Sequence, residues 1–154
     1  MDYKTKAMPL FEAGFEPIPL KGKRPTQTNW PGITIDAGSI AKLAANGAAK
    51  GNVGIRCTET VQFLDVDISA PDAVKRVYEW VRTTLCDGEK TPLRVGNWPK
   101  FGMPCRIDGL AGKARSTVYV DDAGNEQKIE VLTVGQQFVA YGIHPETGKH
   151  YEWQ

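Results

Sequence analysis

The chain has 154 residues, of which 41% are hydrophobic and 24% are charged, and its formal net charge is +1 at pH 7. This composition is typical of one globular domain that can bury a core, and any basic surface has to be local. The sequence contains no run of about 18 apolar residues and no secretory signal. We therefore expect a cytoplasmic protein without a membrane span.

The cysteines and histidines give little sign of a soft-metal site. Cys57, Cys86 and Cys105 form no C-x-x-C pair, and they are expected to be reduced thiols in or near the core. His144 and His150 are the two histidines of the sequence. A structural zinc site is therefore not expected.

The first third of the chain predicts two short helices and an extended segment. The helices cover residues 3–13 and 39–46, and a glycine follows each of them as a stop. Residues 15–20 are extended, and their two prolines restrict them to the edge of a sheet. Lys21 to Pro25 forms a basic turn, whose cations either grip phosphates or are simply solvated; the sequence leaves both alternatives open.

The middle of the chain predicts two strands and the most regular helix. Residues 52–57 form a strand, and residues 58–60 turn it into a second strand, 61–68, with which it is expected to pair as a hairpin. The helix is predicted over Pro71 to Cys86 and is closed by Asp87 and Gly88. Its apolar stripe is Val74, Val77, Val81 and Leu85, and its solvated face carries Lys75, Arg76 and Arg82.

The remainder of the chain predicts consecutive strands. They cover residues 92–96, 102–107, 117–120, 127–132 and 138–141, and another begins at residue 151. The third and fourth of these are expected to form a hairpin. With seven or eight strands and three helices, the pattern indicates a single α+β domain with a mostly antiparallel or mixed sheet. Because the chain stops inside a strand, we expect it to continue in a longer protein.

Two acidic residues stand out in the strand of residues 61–68. Side chains alternate along a strand, so Asp65 and Asp67 point to the same face, about 7 Å apart along it. Two carboxylates on one face repel each other unless cations compensate for their charge. The pair therefore either binds a divalent metal, or serves as a strand end and the start of a turn.

A third acid and several cations extend this pattern. Glu130 lies between Ile129 and Val131 in a predicted strand, where it is either on the solvent face or a further metal ligand. Arg94 and Lys100 bracket the turn that contains Asn97; they either hold a polyphosphate or are ordinary exposed residues.

The other motifs are less informative. His144 lies in a Gly-Ile-His-Pro turn, where a surface role and a catalytic or binding role are both open. The sequence contains no G-x-x-x-x-G-K-[ST] loop and no G-x-G-x-x-G motif, so P-loop and dinucleotide-binding proteins lack support.

Four stretches in register resemble the primase–polymerase (prim-pol) domain of the archaeo-eukaryotic primase superfamily, of the phage and plasmid type. They are residues 14–25; 52–55 with 64–67; 92–100; and 129–131 with 137–148 and 151–153. The resemblance implies an RRM-like sheet with packed helices, joined to a smaller N-terminal α/β unit. It also implies a catalytic domain over residues 1–154, forming the N-terminal part of a longer primase or primase-helicase in a bacterial host cell.

The resemblance implies template-directed nucleotidyl transfer with Mg²⁺ or Mn²⁺. Asp65 and Asp67 match the family's D-x-D metal ligands, and Glu130 matches its third acidic position. The implied partners are a single-stranded DNA template, a primer, a dNTP or NTP and a helicase. A non-catalytic nucleic-acid-binding module on the same scaffold is the alternative, and a two-metal nuclease is a more distant one.

One part of the sequence departs from the family pattern. Many members place a histidine in an S-x-H motif between the acidic motifs, but this chain has no histidine before His144. Arg94, Asn97 and Lys100 occupy the matching region, as in a phage-like subgroup that reads R-V-G-x-x-P-K. We expect these three residues and His144 to contact the nucleotide.

Overall fold

The computed structural model describes residues 2–46, 50–85, 91–110, 112, 114–116 and 118–154. These residues form three α-helices and eleven strands. The helices are α1 (Tyr3–Glu12), α2 (Ala37–Ala45) and α3 (Pro71–Trp80). The strands are β1 (Pro17–Lys21), β2 (Arg24–Pro25), β3 (Asn52–Arg56), β4 (Gln62–Asp67), β5 (Arg94–Asn97), β6 (Lys100–Cys105), β7 (Ala114–Arg115), β8 (Tyr119–Val120), β9 (Glu126–Leu132), β10 (Gln137–Tyr141) and β11 (Glu152–Trp153).

The strands form two antiparallel sheets, which confirms the predicted α+β class. The smaller sheet has the order β10-β3-β1-β2. The larger has the order β11-β5-β6-β4-β9-β7, with β8 also paired to β9. The smaller sheet and the two N-terminal helices correspond to the expected N-terminal unit, although β10 comes from near the C-terminus. The strand count exceeds the predicted seven or eight because β2 and β7, each only two residues long, were not predicted.

Each helix is held by apolar contacts that its sequence pattern predicts. In α1 and α2, the buried Tyr3, Ala7 and Ile40 form one cluster with Val53 of β3. In α3, Val74 packs against the larger sheet, as does Val81 in the π-helical turn that follows it. Side-chain caps begin α1 and α2: Asp2 accepts from the Lys4 amide, and Asp36 and Ser39 form a capping box.

The predicted hairpin of β3 with β4 is wrong. The turn itself exists, since the Thr58 amide donates to the Val61 carbonyl oxygen at 2.8 Å. However, β3 pairs with β1 on one side and with β10 on the other, so it offers no edge to β4. The chain instead crosses to the larger sheet, where β4 pairs with β6 and β9. The two sheets then pack together through stacked Phe63 and Phe138 rings, 4.0 Å apart between centroids.

The expectation that the proline-containing segment is an edge strand also needs correction. Strand β1 lies between β3 and β2 in the sheet order. Strand β2 pairs only with Leu20 and Lys21, and both prolines of β1 precede that region. Their missing N–H groups are therefore tolerated because β2 is too short to reach them.

The helix predicted over Pro71 to Cys86 ends earlier than expected. The α-helix stops at Trp80, and a π-helical turn covers Val81–Leu85. Arg82, predicted to be solvated, is half-buried and donates to the Thr91 carbonyl oxygen at 2.7 Å. Lys75 and Arg76 are exposed as expected. Leu85 ends the predicted stripe but is exposed.

Some sequence predictions fall on residues outside the described ranges. These are the glycine stop after the second helix, the helix end beyond Leu85 with Cys86, and part of the predicted strand of residues 117–120. The described part of that strand, β8, pairs with β9 as the predicted hairpin requires. Cys57 is buried and Cys105 half-buried. None of the described helices is both long enough and apolar enough to cross a membrane.

Candidate active site between the two sheets

The acidic residues lie on one face of the larger sheet. Asp65 is the direct cross-strand partner of Glu130, and Asp67 is the partner of Lys128. Cross-strand partners share a face in an antiparallel sheet, so the three carboxylates lie on the same side. The register therefore brings Glu130 beside the D-x-D pair, although 63 residues separate it from Asp67 in the sequence (130 − 67).

A glycine lets a cation reach this acidic face. In the adjacent strands, Gly102 is the partner of both Asp65 and Arg94. Because Gly102 has no side chain, Arg94 extends across it and places its Nη2 3.5 Å from Oδ1 of Asp65. The four residues make one row across the sheet, Arg94-Gly102-Asp65-Glu130, which we call the Asp65 row.

Arg94 is fixed on several sides. Its side chain is only 12% exposed. Its Nη1 donates to the Val139 carbonyl oxygen of the smaller sheet at 2.8 Å. The guanidinium lies between the rings of Phe63 and Tyr151, 4.6 Å and 5.1 Å from their centroids. Arg94 therefore joins the two sheets and orients Asp65.

The other acids of the site also have cationic partners. Lys100 Nζ lies 2.6 Å from Oδ1 of Asp67, and Lys128 Nζ lies 3.4 Å from Oε2 of Glu130. Glu130 is 8% exposed, so it does not lie on a solvent face. Burial raises the pKa of Asp65. The negative charges of Asp67 and Glu130 raise the pKa of Asp65 further, whereas the positive charge of Arg94 lowers it. Each of the three carboxylates thus has a cationic partner.

A cavity of about 180 Å³ opens between the two sheets beside Asp65 and Asp67. The cationic and polar side chains of its wall come from both sheets and from the turn after β10. They are Lys23, Arg94, Asn97, Lys100, Gln137, His144 and Tyr151. All the predicted nucleotide-binding residues are thus found at one cavity. Glu130 is absent from the lining, and the described His, Cys, Asp and Glu residues form no group of three able to hold a metal as they stand.

His144 is buried at the cavity wall, with 5% of its surface exposed. Its Nδ1 accepts from the Glu146 amide at 3.3 Å, and its ring lies 5.3 Å from that of Tyr151. Gly96 makes this packing possible, since a Cβ there would come within 2.3 Å of the Tyr151 ring and 2.9 Å of His144. The surface role considered for His144 from the sequence is therefore excluded.

Replacing His144 with glutamine is expected to make stability less dependent on pH. Burial lowers the pKa of His144 below 6.5, with help from the charge of Lys23, so its stabilising effect is complete above pH 6.5 and is lost as the pH falls. Urea unfolding at pH 7.5 and pH 5 should show a smaller drop for His144→Gln than for wild type. His150→Gln, at an exposed residue, is the control and should keep the wild-type drop. Equal drops in all three proteins would contradict this.

Two features of the cavity were missed or left open from the sequence. Tyr151 belongs to a stretch that carries the family resemblance but was given no role from the sequence; it reaches the site because the Tyr151 amide donates to the Gly142 carbonyl oxygen at 2.9 Å. Lys23 was one of three cations in the basic turn, and nothing in the sequence distinguishes it from Lys21 and Arg24. Their different positions depend on how the turn packs against the other strands.

The protein is thus an α+β domain in which one cavity brings Asp65 and Asp67 together with cations that can bind phosphate. A family model described as "Bifunctional DNA primase/polymerase, N-terminal" matches residues 7–154. The chain therefore belongs to this family, which confirms the resemblance inferred from its motifs. The family's activity is DNA primase/polymerase activity, and its substrates are DNA and nucleotides. A comparison with curated proteins gave no match.

Proposed function

We propose that this chain is a template-directed nucleotidyltransferase that joins an incoming nucleoside triphosphate to the 3′-hydroxyl of a primer. The observation that carries the proposal is the cavity, which is lined by the Asp65 and Asp67 carboxylates, by Lys100 from the same sheet, and by Lys23 from the β1–β2 turn of the smaller sheet. Triphosphate transfer needs positioned negative ligands for metal and positive groups for phosphate in one place. Family membership supports the same activity.

The acidic residues fit a divalent Mg²⁺ or Mn²⁺ by their oxygen donors, and the three carboxylates would leave their present cationic partners to converge on one ion. Carboxylate oxygens are the ligands that these hard cations prefer. Burial is the main cause that raises the pKa of Asp65, and the charges of Asp67 and Glu130 add to it; a divalent cation would stabilise the ionised carboxylates in this setting. We assign Asp65 and Asp67 as ligands, with Glu130 as the third on the strength of its place in the Asp65 row and its match to the family motif. When bound, the metal lowers the pKa of the primer hydroxyl and neutralises part of the triphosphate charge.

The other side chains of the cavity are assigned roles from their contacts and their exposure. Arg94 is held by Val139 and two rings, so its part is to orient Asp65. Lys100 is about one-third exposed and can exchange Asp67 for a phosphate oxygen. Since His144 Nδ1 accepts a hydrogen bond, neutral His144 keeps Nε2–H as a donor for the nucleotide. Asn97 lines the same wall and offers an amide to the sugar or phosphate.

Single-nucleotide incorporation tests the proposal. A labelled primer annealed to a template would be incubated with the protein, dNTPs and Mn²⁺ or Mg²⁺, and extension by one or more nucleotides is expected. EDTA should stop the reaction. Without the template strand, the choice of incorporated nucleotide should no longer follow the template base. Cleavage of the strand without dNTPs would instead indicate a nuclease.

A non-catalytic nucleic-acid-binding module remains the second candidate. The observation that favours it is Trp98, which is 64% exposed between the cavity residues Asn97 and Lys100. Exposed aromatic rings beside cations are stacking platforms for the bases of single strands. Binding of a single-stranded oligonucleotide without metal-dependent dNTP binding or incorporation would favour this candidate over the enzyme.

A further inference from the structure

The basic turn between β1 and β2 sends one of its three cations to the cavity. All three cations are exposed, but only Lys23 among them lines the cavity. Gly22 makes the tight turn with φ of +60°, a conformation that favours glycine. The turn therefore presents a single lysine to the same space as Asp65 and Asp67, from the opposite sheet.

The side-chain amides of buried Asn52 and half-buried Gln137 fix the backbone that carries Lys23. Asn52 Nδ2 donates to the carbonyl oxygens of Gly22 and Ile143 at 2.9 Å and 2.8 Å, and its Oδ1 accepts from the Ile143 amide at 2.8 Å. Gln137 Nε2 donates to the Lys23 carbonyl oxygen at 2.8 Å. Asn52 thus ties the basic turn to the turn containing His144. These hydrogen bonds fix the main chain of Lys23, whereas its side chain extends into solvent at the cavity.

The present partner of that side chain is a weak one. Lys23 Nζ lies 3.3 Å from Oε1 of Glu146, and the two side chains are 47% and 68% exposed. An exposed pair of this kind contributes little to stability, because water screens it and both side chains lose conformational freedom. A phosphate offers more negative charge and more acceptor oxygens than one carboxylate.

We propose that Lys23 is a phosphate-binding residue for the incoming nucleoside triphosphate, and that Glu146 holds it at the cavity mouth until a phosphate oxygen replaces the carboxylate. This inference rests on the proposed function, because it assigns a further ligand for the same substrate. The cations of the cavity then have two roles. Arg94 is held in place and orients Asp65, whereas Lys23 and Lys100 exchange a carboxylate partner for a phosphate oxygen. A bound triphosphate is then contacted by one lysine from each sheet.

The test compares variants whose expected effects have opposite signs. Titration calorimetry would measure binding of a dNTP, and of inorganic tripolyphosphate, in the presence of Mn²⁺. Lys23→Gln should weaken binding by about tenfold, the effect of losing one charge-assisted contact. Glu146→Gln should tighten it by about threefold, since it removes the competing carboxylate. Lys21→Gln, on the same hairpin but outside the cavity, is the control and should leave both affinities unchanged.

A purely structural ion pair would behave differently. Lys23→Gln and Glu146→Gln would then change the melting temperature by the same amount. The affinity for the nucleotide would be unchanged, or equally reduced, in both variants. In the double variant Lys23→Gln/Glu146→Gln, the gain from Glu146→Gln should disappear, because that gain acts through Lys23. In primer extension, Lys23→Gln should raise KM for the nucleotide more than it lowers kcat.

The outcomes separate this inference from the proposed function. If wild type binds the triphosphate in a manner that needs Asp65 and Asp67, but Lys23→Gln and Glu146→Gln bind it equally well, the role of Lys23 is wrong and the function stands. If wild type binds neither the dNTP nor tripolyphosphate with Mn²⁺, both are overturned.

Discussion

Replacing Asp65 or Asp67 with asparagine is expected to reduce nucleotide incorporation by about a thousandfold, equivalent to ~4 kcal/mol of transition-state stabilisation. Asparagine keeps the size of the side chain but removes the charge that would hold a divalent cation. The loss should be seen in primer extension under saturating dNTP. It should also be seen as weaker Mn²⁺ binding in titration calorimetry.

The metal effect can be separated from misfolding by thermal unfolding. A ligand that binds only the native state raises the midpoint of unfolding as its concentration rises. Mn²⁺ should therefore stabilise wild type and leave Asp65→Asn nearly unaffected. Asp122→Asn, which removes an exposed carboxylate elsewhere, is the matched control and should retain both activity and stabilisation. Wild-type incorporation and Mn²⁺ affinity in both site variants would rule out the assigned ligands.

Replacing Gly102 with alanine is expected to destabilise the protein by about 3 kcal/mol and lower its melting temperature by roughly 6–12 °C. A Cβ at this position would come within 2.2 Å of Cε1 in the Phe63 ring. Phe63 is fully buried and stacks on Phe138, so the ring has no room to withdraw. Overpacking at this point strains the contact between the two sheets.

The same substitution should also weaken the site, because Arg94 lies over the Phe63 ring and reaches Asp65 across Gly102. We expect Gly102→Ala to reduce Mn²⁺-dependent dNTP binding even at temperatures where the variant is folded. Gly32→Ala is the control: a Cβ there meets nothing within 4 Å, and its backbone conformation is open to any residue. Chemical unfolding and calorimetry of the two variants would show the difference. Equal stability of both would contradict the close packing of Phe63.

The elements with strong local signals were predicted well from the sequence. The periodicity of α1 and α2, the stop signal of α1, and the alternation in β4 and β9 are properties of neighbouring residues. The common face of Asp65 and Asp67 follows from the strand period alone. The predictions that failed concern pairing: β3 does not pair with β4, and β1 is not a simple edge strand. Pairing depends on which edges distant strands already occupy, and the free edge of β3 is taken by β10, more than 80 residues later (137 − 52).

The candidate site, like the fold, could be predicted from the sequence only in part. The residue types around Asp65, Asp67, Glu130 and Lys100 indicated metal and phosphate chemistry, and the order of the motifs indicated the family. Only the tertiary structure placed Glu130 opposite Asp65, because cross-strand register depends on the packing of both sheets. It also separated three similar cations: Arg94 is buried across Gly102, Lys23 faces the cavity and Lys21 does not. A side chain's chemistry is carried by its own identity, but its partner and exposure are set by residues far away in the chain.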